Sequence, residues 1–273
     1  PSRGLGDVYK RQKEMGAQTK FSGTESAEAF TYMAQAGWQV QDMIDGIGGI
    51  MSLAAADGLD LASTTDIVSN ALTAFGMTAK DTAEFADVLA VASSATNTDV
   101  SDLGEAFKYI APVAGAMGYS IQDASVALGL MSNNAVKGSM AGTALKTALA
   151  NMAAPTDNMA AAMKKYGISL TDSEGNMKTL KGVMDNLRSS LGGLSETEQT
   201  AAASTIFGKE AMAGMLSIIN TSEEDYKKLT EAINDSQGAA DRMAGTMQDN
   251  LKGSLEQLGG AIETVQLLSL IHI

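Results

Sequence analysis

Apolar residues along this 273-residue chain recur three and four positions apart in stretches of roughly 12–18 residues, each opened by a polar cap and closed by glycine. The pattern predicts a succession of short helices. Thr24, Glu25 and Glu28 open one that runs to about Ala36 and stops at Gly37; a second fills about 40–56 and ends at Asp57-Gly58. A third follows Asp60 and carries Leu61, Ile67, Val68, Leu72 and Phe75 before Gly76, a residue suited to a left-handed C′ position. Phe85, Val88, Leu89 and Ala92 share one face of a fourth, from about Ala79 to Ala95. Asp99, with Asp102 three residues on, supplies a cap and a dipole-complementing acid for a fifth running toward Met117. Pro112 inside it is expected to kink or split it near Tyr109 to Ala111. Ser120 and Asp123 cap a sixth over about 121–134.

The stretch KGSMAGTALKTALANMAAP starts a helix at Gly138 and Ser139 that Pro155 ends. Ala141, Gly142, Ala144 and Ala148 recur three and four apart on it, so a neighbouring helix can approach closely along that stripe. Gly142 is the position expected to tolerate replacement least, because a larger side chain would push the helices apart. Residues 168–180 break the period: Ile168, Leu170, Met177 and Leu180 flank Asp172-Ser173-Glu174-Gly175-Asn176, which predicts a small β-hairpin. The loop lacks the length and spacing of an EF-hand, so turn chemistry explains its acids better than calcium. Helices resume over about 179–191, stop at Gly192-Gly193 and restart at Ser195 with Glu198, a capping-box spacing. Further helices are predicted at about 208–219, 223–235 and 239–266, the last the longest, with Met243, Met247, Leu251, Leu255, Leu258 and Ile262 in period.

Three stretches in order, KGSMAGTALKTAL (137–149), YGISLTDSEGN (166–176) and STIFGKEAM (204–212), resemble the core of the tail tape measure proteins of long-tailed bacteriophages, the TP901 type. The resemblance begins at MGAQTKFSGTESAEAFTYMAQAGW (15–38), continues through 53–77 and 87–149, and closes with IFGKEAMAGMLSII (206–219) and GAADRMAGTMQDNLKGSLEQLGGAIETV (238–265). It is collinear over nearly the whole chain. GLGDVYKRQ near the start and SLIHI at the end resemble translated adapter read-through instead, so residues 1–12 and 269–273 are expected to be non-native flanks. Between them the expected organisation is a helical core domain over 13–236 and a long amphipathic helix over 237–268 that leads into further chain.

Composition narrows the chemistry. A 45% hydrophobic content is enough for a buried core, yet only 5% is aromatic while methionine occurs 17 times, so the interior must be built from Ala, Leu, Ile and Met. The formal charge is −13; without the first 12 residues, where Arg3, Lys10 and Arg11 oppose Asp7, it is −15. Such acidity opposes specific nucleic-acid binding, which draws on Lys and Arg displacing phosphate counterions. Cysteine is absent, as suits a protein made in a reducing cytoplasm, and the lone histidine is His272 in the expected flank. The usual metal ligand and the usual general base are therefore missing together. No P-loop, GxGxxG or HExxH pattern occurs, and the 32 acids fall on polar faces and helix starts. The sequence predicts no catalytic residue, no metal site and no cofactor.

The fold expected is all-α: a multi-helix bundle of short, glycine-punctuated helices with one small β-hairpin near 168–180 and a longer C-terminal helix. A glycine inside a helix costs about 1 kcal/mol relative to alanine, and 28 of them argue against one continuous rod or a long heptad protein of the secretion or chemoreceptor kind. The resemblance implies a structural protein that occupies the tail tube lumen, sets tail length during assembly and is released at genome ejection. It implies the tail tube protein, tail assembly chaperones and distal tail proteins as partners, a homo-oligomer in the lumen, and residence in the virion after synthesis in the host bacterial cytoplasm. The alternative expectation is a membrane-active module aiding genome delivery, with transient host membrane contact. Its nearest candidates, 40–56 and 201–219, are interrupted by Asp42, Asp45, Lys209 and Glu210.

Overall fold

Capping side chains decide where most helices begin. In the computed structural model, which describes residues 2–249 and 251–271, the described residues form fifteen α-helices. They are α1 (Ser2–Gln18), α2 (Gly23–Gln35), α3 (Val40–Asp57), α4 (Leu61–Phe75), α5 (Thr82–Ala95), α6 (Val100–Ala116), α7 (Ile121–Ser132) and α8 (Gly138–Ala153). There follow α9 (Asp157–Tyr166), α10 (Leu180–Leu191), α11 (Glu196–Phe207), α12 (Lys209–Asn220), α13 (Glu223–Asn234), α14 (Ala239–Gln248) and α15 (Leu251–Ile271). A 3-10 turn, Ala79–Asp81, precedes α5. Asp60, Asp99, Ser120 and Ser195 each accept a backbone N–H three residues ahead, as their spacing predicts. Gly37, Gly58 and Gly76 end their helices in the left-handed region, with φ of 87°, 73° and 69°. The box of α2 is built on Ser22 and Glu25, two residues ahead of the expected Thr24.

The chain divides into two compact units, residues 1–91 with 236–273, and residues 92–235. In the first, α3 is the central element: Ile47, Ile50, Met51 and Leu53 are fully buried, with Met33, Val68, Phe85 and Leu89 at no more than 0% exposure around them. Gly49 allows the chain entering α5 to cross closely, since a Cβ there would lie 2.9 Å from the carbonyl carbon and oxygen of Thr82. Helix α14 lies on α3 through Ala239, Ala240 and Ala244, and α15 runs against α1 and α2. In the second unit α8 is central, packed on α6, α11 and α12, while α7 packs on α10, α12 and α13. Phe107, Ile110, Leu128, Leu145, Leu187 and Phe207 fill this interior.

The all-helical expectation holds, with corrections. The β-hairpin near 168–180 is not formed: Thr171 and Met177 make one isolated antiparallel bridge. Gly167 closes α9 at φ 66° and Thr179 already caps α10, so the arms have no length for a ladder. Within the bridge Asp172 Oδ1 accepts from the N–H groups of Glu174 and Asn176, both at 2.9 Å, and these bonds, Asn176 first, hold its carboxyl below the ordinary range. Sequence reading also passed over α9, whose Thr156 cap follows directly on Pro155. Helix α6 runs unbroken through Pro112, which sits on its exposed face, where water can serve the backbone group that proline frees. The helix expected over 239–266 is two, α14 and α15, with Asp249 as the C-cap of the first. Helix α1 runs through the expected N-terminal flank, and residues 272–273 of the expected C-terminal flank, His272 included, lie outside the described residues.

Candidate functional site: a small-residue helix junction

The three stretches that carry the resemblance all lie in the second unit. Gly142 faces the backbone of α6 so closely that a Cβ on it would lie 2.2 Å from the carbonyl oxygen of Ala106 and 2.8 Å from its Cα. Ala141, Ala144 and Ala148, all nearly solvent-free, extend the contact surface of α8. On α12, Gly214 stands against the same helix: its Cβ would meet Ala144 Cβ and Met131 Sδ, both at 3.0 Å. Helix α8 is thus held between α6 and α12 by residues without bulk, with a glycine at each interface.

The STIFGKEAM stretch turns between α11 and α12 at Gly208, with φ 85° and ψ 160°, a region that only glycine occupies readily. Asn151 on α8 donates from Nδ2 to the carbonyl oxygen of Phe207 at 2.8 Å, satisfying the end of α11. The 166–176 stretch is anchored by Asn186 of α10. Its Oδ1 accepts from the Ser169 N–H at 3.1 Å and from Lys178 Nζ at 3.2 Å, and its Nδ2 donates to the Gly167 carbonyl at 3.1 Å.

One charged cluster joins α10, α12 and α13. Arg188 donates from Nη1 to the carbonyls of Ile218 at 2.9 Å and Thr221 at 2.8 Å, and from Nη2 to Glu223 at 3.0 Å, while its guanidinium lies 4.3 Å from the Tyr226 ring centroid. Tyr226 donates to Asp185 Oδ1 at 2.8 Å, and Lys181 donates to Asp185 Oδ2 at 2.6 Å. Burial, then the Asp185 carboxylate, push the Tyr226 phenol well above its ordinary value, so it stays protonated as a donor. Each of these side chains is engaged in holding helices together. The described residues contain no group of three or more His, Cys, Asp or Glu placed to hold a metal ion. Sequence reading singled out Gly142; it missed Asn151, Asn186, Gly214 and Arg188, whose partners named above lie outside their own helices.

Residues 10–208 match the profile of the phage-related minor tail protein family. The chain belongs to that family. This minor tail family member is 39% identical over 264 residues to the tape measure protein of Pneumococcus phage Dp-1, a match covering 97% of this chain and 23% of that protein. It is 28% identical over 263 residues to the probable tape measure protein of Escherichia phage P2, covering 94% of this chain and 32% of that one. The chain therefore spans about a quarter to a third of the length of these relatives. No solved structure matches it.

Proposed function

We propose that this chain is the core segment of a tape measure protein of the TP901 type, a structural, non-catalytic element of a long-tailed phage. In this reading the whole protein occupies the tail tube lumen, sets tail length during assembly and leaves at genome ejection. It is made in the host bacterial cytoplasm, meets the tail assembly chaperones there, and ends in the virion beside the tail tube and distal tail proteins. The observation that carries the reading is the similarity to a tape measure protein along 97% of the chain. A homo-oligomer is supported by α15, where Leu255, Leu258, Ile262 and Val265 are 51–64% exposed at spacings of three, four and three. Ser254, Gly259 and Ala261 beside them are uncharged, so a second copy of the same helix would meet no like charge there.

The same exposed face is what favours the membrane-active alternative, although no described helix is long and apolar enough to cross a membrane. Mass spectrometry of purified virions, before and after triggered DNA release, separates the two. Peptides from residues 137–219 are expected in full virions and lost from emptied tails. Their recovery from host membranes alone, with none in virions, would replace the assembly role with the membrane-active one.

A further inference from the structure

We infer that α14 is a releasable strap on the first unit, docked on α3 and latched to α5 by the carboxylate of Asp87. Three observations meet on it. The N-cap position of α14 is Gly238, which has no side chain to cap with, and the capping is supplied from α5: Asp87 Oδ2 accepts from the Gly238 N–H at 2.7 Å and Oδ1 from the Ala240 N–H at 2.9 Å. Asp87 is 8% exposed, and these two bonds reach it across 151 and 153 residues of chain. The apolar contact under the strap is made by small side chains, Ala239, Ala240 and Ala244, with Met243 half-buried beside them, while Asp241, Arg242, Gly245, Thr246 and Met247 face solvent.

A helix held by three alanines and a borrowed cap behaves differently from its neighbours. The elements of lowest local stability are those with little buried apolar contact. Helix α3 buries Ile47, Ile50, Met51 and Leu53, and its Ser52, which contributes little bulk, also hydrogen-bonds Asp241 of α14. When the strap lifts, α14 loses its cap at the same moment, so docking and helix formation are coupled: it leaves as a unit and ahead of α2, α3 and α4. The use of such a strap, as the point from which the segment opens on entering or leaving the tube, rests on the tail reading; its existence does not.

The test is hydrogen exchange on the 273-residue chain, compared with Asp87→Asn. The amide keeps the shape and one acceptor but loses the charge and the second acceptor. Amides of residues 238–248 are expected to exchange about tenfold faster, the loss appropriate to one charge-assisted bond, with α3 and α4 unchanged. A second variant adds Ser52→Cys and Asp241→Cys to Asp87→Asn, in a chain with no cysteine of its own. Oxidation should then return exchange in 238–248 to the parent rate, and reduction should release it. Unchanged exchange in Asp87→Asn overturns the latch. Exchange rising together across α2, α3 and α14, unrescued by the disulfide, overturns the strap and makes α14 part of the core. Neither outcome bears on virion content, so failure here leaves the tail reading standing.

Discussion

The carbonyl oxygen of Ala106 lies 2.2 Å from where a Cβ on Gly142 would stand, so the helices α6 and α8 touch backbone to side-chain position with no room for a methyl group. Neither a rotamer change nor a flexible neighbour can relieve that contact, since the obstructing atoms are backbone. Gly142→Ala is expected to cost about 3 kcal/mol, the upper range of overpacking, and to lower the Tm by several degrees. Gly193→Ala, where nothing lies within 4 Å, is the control and should stay within about 0.5 kcal/mol. Denaturant melts of the two variants check the difference.

Gly208 tests a different constraint. Its φ of 85° with ψ of 160° is accessible to glycine and strained for any other residue. Gly208→Ala should destabilise by about 1–3 kcal/mol and weaken the Asn151 to Phe207 bond, since the new Cβ would sit 3.3 Å from Asn151 Nδ2. The downfield shift of the Asn151 side-chain amide in NMR spectra should be lost along with the stability.

Arg188→Lys should not behave as a conservative change. The fork of Arg188 serves two backbone carbonyls and Glu223 at once, while a lysine ammonium is a point donor without the planar face that covers Tyr226. A loss of about 2 kcal/mol is expected from the carbonyls left short of a donor, measurable by urea titration.

Asp60 sets the sign of one pH effect. The Ser63 backbone N–H, 2.8 Å from its Oδ1, is the main cause holding its carboxyl below the ordinary value of 3.8. Because the folded value is the lower one, the unfolded state binds the proton more readily. The stabilisation is therefore complete above about pH 4 and fades as the pH falls through the folded value. Asp60→Ala should cost about 1 kcal/mol at neutral pH, with the gap to the parent closing in acid. Melting both proteins from pH 7 down to pH 2 checks the direction.

Where the sequence was legible, the signal was local, although the Ser22 box and the Thr156 cap, equally local, went unread. Caps at Asp60, Asp99, Ser120 and Ser195 and stops at Gly37, Gly58 and Gly76 need only neighbouring residues, and each is where its spacing put it. Gly142 was readable because a small-residue stripe reports a close approach without naming the partner; that the partner is Ala106 required the fold. The hairpin failed although Ile168 and Leu170 are buried, because only Thr171 and Met177 pair, and alternation alone cannot distinguish a single bridge from a ladder. Asp87 gave no signal at all: it caps a helix 151 residues further on, and an acid on a helical face reads as solvated until its donors are located.

The central claim is that this segment belongs to a protein whose length is copied into the tail. The most direct measurement is tail length by electron microscopy in phage carrying this gene, with about 80 residues added after Val265 by tandem repeats of the stretch 251–268. At 1.5 Å per helical residue the added chain is worth on the order of 120 Å, and tails longer by about that amount are expected. Normal numbers of infectious tails at unchanged length would contradict the account.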